Sequence, residues 1–127
     1  MIFVDTNVIM YAVGGEHPLR ERARAFFEEA LVGGRPLVTS AEVLQELLHV
    51  YLPVQRVGTL DAALALVTAT VASIWPVEEG DVRLARELAN EHPGLGARDL
   101  LHLASCLRRN ARGIMTFDRG LEAAFRG

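Results

Sequence analysis

The sequence predicts an α/β domain of three layers, in which a mostly parallel central sheet of about four or five strands lies between helices. Short apolar runs at Ile2–Val4, Pro36–Val38, Ile74–Val77 and Ile114–Phe117 are separated by longer stretches with apolar residues at helical spacing. Strands joined through helices make right-handed crossovers, which put helices on both faces of a parallel sheet. The length of 127 residues, half of them hydrophobic, suits one domain spanning 1–127 with a substantial core. No repeat, linker or low-complexity tract divides it.

The elements follow in order. After the Ile2–Val4 strand, Val8–Val13 continues as a short apolar helix that ends at Gly14-Gly15. Pro18 opens a second helix, whose residues Leu19, Ala23, Phe26, Phe27, Ala30 and Leu31 share an apolar face before Gly33-Gly34 stops it. Pro36–Val38 forms the second strand. Thr39, with Glu42 three residues later, predicts a capping box for the next helix, which ends before Pro53. Thr59 is the expected cap of a helix over Leu60–Ala72 that is apolar nearly all round, and hence buried or placed in a subunit interface. Ile74–Val77 reads as an edge strand, because Pro76 cannot donate to a ladder. Helices over Asp81–His92 and Arg98–Arg109, the last strand and a short helix over Arg119–Phe125 complete the chain.

Composition excludes several chemistries. All thirteen basic residues are arginine, so a phosphate-binding-loop lysine, a Schiff-base lysine and a kinase's strand lysine are absent. The single cysteine, Cys106, forms no internal disulfide and is expected as a small buried hydrophobe in a reducing compartment. The net charge of −3 provides no overall field for nucleic acid, so such binding needs a local patch or a metal ion. The apolar-leaning stretch Ala62–Val77 falls short of the roughly 20 residues a membrane span requires. Asp5 and Asn7 interrupt any signal-peptide pattern. A cytoplasmic protein with no membrane association is expected.

Four acids have places that chain direction brings together. In an open parallel sheet the ligand crevice lies beyond the carboxyl ends of the strands. Asp5 follows the first strand and Asp118 the last. Asp99 sits in the first turn of a helix that runs back towards that rim, and Glu46 lies about two turns into the helix after the second strand. Each has an ordinary structural role as well: Asp5 and Asp118 as helix caps, Asp99 as a first-turn carboxylate, Glu46 as a solvated residue. Together, however, like charges raise each other's pKa and cost stability unless a cation neutralises them. A hard divalent ion, Mg²⁺ or Mn²⁺, takes such oxygen ligands without His or Cys.

The segments VDTNV, SAEVLQELL, GARDLLHLASC and TFD, in this order, resemble the PIN domain family, and within it the VapC-type toxin ribonucleases. The resemblance runs from Ile2 to Gly120. It implies a compact α/β domain with magnesium-dependent endoribonuclease activity on RNA, commonly a homodimer inhibited by an antitoxin as half of a type II toxin–antitoxin pair. Carried over, Asp5, Glu46, Asp99 and Asp118 form the catalytic, metal-binding site, with Asn7 and Thr116 supporting it. Glu42, one turn before Glu46, is the fallback for that position. Family precedent implies 5′-phosphate and 3′-hydroxyl products.

The remaining polar residues divide as follows. His102 lies at helical spacing from Asp99 and Cys106, but these make an incomplete zinc set, so a packing role is expected for it. His17, His49 and His92 read as surface or cap residues. Arg98 and Arg119 adjoin the expected ligands and are candidates for RNA contact, whereas Arg20, Arg22 and Arg24 alternate with acids as a solvated helix face. A catalytically silent PIN-like module that binds RNA or protein is the competing reading. A phospho-receiver domain, which also gathers acids at a sheet rim, lacks the lysine it would need.

Overall fold

A computed structural model describes all residues, 1–127. The sheet contains β1 (Ile2–Val4), β2 (Leu37–Ser40), β3 (Val71–Trp75) and β4 (Gly113–Met115) in the order β3-β2-β1-β4. Every pairing is parallel, so the expected sheet is realised with four strands. β3 is at an edge, as Pro76 predicts, but its ladder ends at Trp75 and leaves Pro76 and Val77 outside.

The helices are α1 (Thr6–Val13), α2 (Arg20–Gly33), α3 (Ala41–Tyr51), α4 (Val57–Thr70), α5 (Glu79–Glu91), α6 (Ala97–Arg108) and α7 (Arg119–Arg126). α1 packs on α2, α3 and α4, while α5 packs on α6 and α6 on α7, giving the two outer layers. Chain reversal explains this division: β1 leads to β2 and then to β3 on one side, and the chain returns through α5 and α6 to place β4 on the other side of β1. The β1/β4 boundary is therefore the topological switch point, where a crevice opens beyond the strand ends.

One core unites Phe3, Val4, Val8, Ile9, Phe27, Val43, Leu47 and Trp75, and a smaller one joins Leu88, Leu100, Leu103, Ala104 and Leu121. Full burial of such side chains contributes about 1.5–3 kcal/mol each. Phe3 stacks on Trp75 with ring centroids 5.8 Å apart and lies 5.5 Å from the His102 ring, which fixes its face towards α6.

Several ends differ from the sequence expectations. α3 is capped by Ser40, whose Oγ accepts from Val43 N at 3.3 Å; Thr39 stays in β2 opposite Ile74 and donates instead to Val4 O at 2.9 Å. The Thr39/Glu42 capping box is thus replaced by a cap one residue later. Thr59 lies inside α4, which begins at Val57 behind Arg56 and gives way to β3 at Val71. The start of α5 holds a capping box not anticipated from sequence, in which the Asp81 carboxylate accepts from Glu78 N at 2.8 Å. Gly34 ends α2 in the left-handed region at φ 65°, where glycine carries no Cβ penalty. Of α4, Leu60, Ala63 and Val67 are buried, so one face meets the core and the others are less covered.

Candidate active site

Asp5 caps α1 from the end of β1. Its Oδ1 accepts from Thr6 N and its Oδ2 from the Thr116 hydroxyl, both at 2.7 Å, and only 4% of the residue is exposed. Thr116 has a second function, accepting from Asp118 N at 3.0 Å just past β4. Asn7 binds the same loop, with its Oδ1 accepting from Phe117 N at 3.2 Å and its amide donating to Thr116 Oγ1 at 3.4 Å. These bonds stitch the ends of β1 and β4 together across the switch point.

Glu46 reaches this rim from α3. Its Oε2 accepts from the Thr6 hydroxyl at 2.7 Å, and its Oε1 lies 2.7 Å from His102 Nε2. His102 Nε2 is also 3.6 Å from Asp5 Oδ1. The expected packing role of His102 is therefore incomplete: it is buried, but its ring ties α6 to two acids. The spacing from Asp99 was visible in sequence, whereas the decisive partner lies 56 residues away.

Asp118 caps α7, its Oδ1 accepting from Leu121 N at 3.0 Å. Asp99 occupies the first turn of α6. Burial, then the charges of Asp118 and Asp5, push its carboxyl up to about 6. The four acids from four separate elements thus share one field. Glu42, one turn earlier on α3, lies 4.0 Å from Arg98 Nε.

The electrostatics divide the acids. Burial raises Asp5 above the ordinary carboxylate range, against the opposing pull of His102 and the hydrogen bonds from Thr116 and Thr6. Burial acts in the same direction on Glu46, but the hydrogen bond and charge of His102, with the Thr6 bond, outweigh it and leave Glu46 lowered. For His102 itself, burial favours the neutral ring, yet Glu46 and Asp5 hold its pKa above the usual value. Nδ1 of the same ring is buried without a hydrogen-bond partner. Cys106, beneath the site, is pushed up to about 12 by burial and by Asp5, which makes it an inert thiol.

Asp5, Glu46 and His102 each present a ligand atom within 4.8 Å of the others. The adjoining Asp99 and Asp118 make the set rich in carboxylate oxygen. Such donors fit a hard divalent cation, which would relieve the charges of Asp118 and Asp5 that add to burial in raising Asp99. His102 takes part of that charge when protonated.

The PIN domain family matches residues 2–125. Ribonuclease VapC23 of Mycobacterium tuberculosis is 62% identical over 126 residues, covering 99% of each chain. The crystal structure of Mycobacterium tuberculosis VapC20, described as a sarcin–ricin loop cleaving toxin, superposes with a TM-score of 0.79 at 22% identity, covering 98% of this chain and 95% of that one. VapBC2 from Rickettsia felis, solved bound to a DNA fragment from its promoter, aligns with a TM-score of 0.68 at 20% identity over 93% of this chain and 88% of that one. The last two likenesses concern the fold, while the match at 62% identity extends along the sequence itself. The chain belongs to the PIN domain family, in its VapC branch.

Proposed function

We propose that this chain is an endoribonuclease that hydrolyses RNA phosphodiester bonds with a divalent cation, Mg²⁺ or Mn²⁺, and is the toxin of a toxin–antitoxin pair. The observation that carries this reading is the convergence of Asp5, Glu46, Asp99 and Asp118 on one rim, where burial and then the charges of Asp118 and Asp5 push Asp99 up to about 6. A field of this kind is costly in a merely structural cluster and useful around a cation.

In this reading Asp5, Glu46, Asp99 and Asp118 would hold the cation, which would supply a bound water of lowered pKa and charge stabilisation for the leaving oxygen. The chain's own groups supply order. Thr116 fixes Asp5 Oδ2 and the start of α7, Thr6 fixes Glu46 Oε2, and His102 braces Glu46 from the other helical layer. Asn7 holds the Thr116–Phe117 turn. Such supporting bonds keep ligands in place and typically change metal affinity or activity 10- to 100-fold when removed.

The VapC names of the relatives support an antitoxin partner, and their ribonuclease names support RNA as substrate. A homodimer is consistent with the exposed Leu48, Leu52 and Val54 at the end of α3. No helix is long and apolar enough to cross a membrane. We place the protein in the cytoplasm, where its single buried cysteine stays reduced.

The test is cleavage of structured and single-stranded RNA by purified protein in Mg²⁺, Mn²⁺ or EDTA, beside Asp99→Asn, with a thermal melt on each sample. Metal-dependent cutting that disappears in the folded variant is the expected result. Absence of both cutting and metal-induced stabilisation would favour a silent binding module instead.

A further inference from the structure

A groove of about 500 Å³ opens directly beside the acidic rim, between the start of α2 and α7. Its lining includes Arg22, Thr116, Phe117, Arg119, Glu122 and Arg126. Thr116 belongs to both places, since its hydroxyl donates to Asp5 Oδ2 at 2.7 Å. The groove and the acidic rim thus share Thr116 as a common wall.

The charges in the groove are unevenly matched. Arg126 is paired with Glu122 at 2.7 Å, but neither Arg22 nor Arg119 has a carboxylate within ion-pair distance. Arg22 lies over the Phe117 ring, 5.4 Å from its centroid. Arg22 is exposed, as a solvated helix face requires, and it also lines this groove. Two unneutralised guanidinium groups next to a cluster of acids, in a chain of net charge −3, mark a path for a polyanion that the acids would otherwise repel.

The geometry points to a single-stranded RNA subsite, in which Arg22 and Arg119 bind backbone phosphates flanking the scissile bond and the Arg22–Phe117 stack supports a neighbouring base. Resting on the ribonuclease reading, this assigns one direction of the substrate strand, away from the acids along α7. Arginine suits the task because its planar fork binds phosphate oxygens and stacks on flat rings. Single-stranded binding sites combine these same elements, a cationic track and an aromatic platform. The volume is in the range of ordinary small-ligand pockets, enough for a nucleotide unit.

The test is fluorescence anisotropy with a labelled, mixed-sequence single-stranded RNA in EDTA, across a salt series, on an Asp99→Asn background that blocks cleavage. Arg22→Ala and Arg119→Ala are compared with Arg22→Lys and with Arg83→Ala, an exposed arginine of α5 that pairs with Glu79. Melts confirm folding. The Arg22/Arg119 double alanine variant is expected to bind on the order of tenfold more weakly, with the slope of log affinity against log salt reduced by about 0.7 for each lost phosphate contact. Arg22→Lys retains the slope, and Arg83→Ala binds as the parent does. Unchanged affinity, weakening without a change in slope, or no RNA binding by the parent would each overturn the subsite. So would dependence on these arginines of an acidic peptide, tested as a glutamate decamer, with RNA unaffected; the groove would then receive a protein segment. If the native protein cuts no RNA with any cation while the slope still falls in the variants, the groove stands and the nuclease reading fails. Cutting by native protein, together with parental binding in the variants, gives the reverse.

Discussion

Thr116 serves three neighbours at once: it donates to Asp5 and accepts from Asp118 N and Asn7. Thr116→Val keeps the shape and removes the hydroxyl, leaving these groups short of partners in a buried place. We expect a loss of about 1–3 kcal/mol in stability by denaturant titration. RNA cleavage should fall 10- to 100-fold, the range for a lost ligand-orienting bond. Asp99 makes the opposite stability prediction. Its carboxyl is held near 6 by burial and by Asp118 and Asp5, so at pH 8 without metal its charge is a burden on the native state. Asp99→Asn should raise the melting temperature in EDTA by about 3 °C, allowing for solvent screening of a half-buried group, and abolish the stabilisation that Mn²⁺ gives the native protein. The acids were legible because strand ends and helix directions are written in the chain. The contacts of His102 with Glu46 and of Arg22 with Phe117 were not legible, because these partners are distant in sequence and meet only after the layers close.

Between elements, the firmest polar link outside the site joins α5 to α6. Asp81 is wholly buried and accepts from Arg108 Nη1 and Arg109 Nη1, each at 2.7 Å, while Glu78 receives Arg109 Nη2 at 2.7 Å. Although burial opposes its charge, the bonds from Arg109, Glu78 N and Arg108 lower the Asp81 pKa to about 2. A depressed folded pKa gives stability that is present above the ordinary carboxylate range and lost as pH falls through about 2. Asp81→Asn should therefore cost about 2 kcal/mol at pH 7, below the range for fully buried pairs because Arg108 is partly exposed. The difference from native protein should narrow between about pH 4 and pH 2, as followed by urea melts at each pH. Cleavage should be retained at temperatures where the variant is folded. Element identity was legible from apolar spacing, but helix starts were not. Thr39 is a good cap by residue type, yet its place opposite Ile74 holds it in the ladder and passes the cap to Ser40. Thr59 likewise gives way because α4 begins two residues earlier, with no side-chain cap at Arg56.

Across the molecule, the switch point between β1 and β4 brings Asp5, Thr116 and Asp118 to one rim. Alternating strands and helices predicted the parallel sheet, and the two-layer covering follows from crossover handedness. The order β3-β2-β1-β4 was not written in any segment, because it depends on which side the last crossover takes. A cation bound only by the folded rim should stabilise the entire domain. At about 100 times its Kd, Mn²⁺ should add about 2.7 kcal/mol, visible as a rise of several degrees in the melt of native protein and absent in Glu46→Gln. The same topology has a consequence for synthesis. β1 sits in the middle of the sheet yet is made first, and Asp5 waits for Thr116, 111 residues later. While a ribosome is still translating the chain, β1 has no β4 beside it, and the rim lacks Thr116 and Asp118. On the proposed site, the rim would therefore be complete only after the closing segment had emerged, a delay set by where Thr116 and Asp118 lie along the chain.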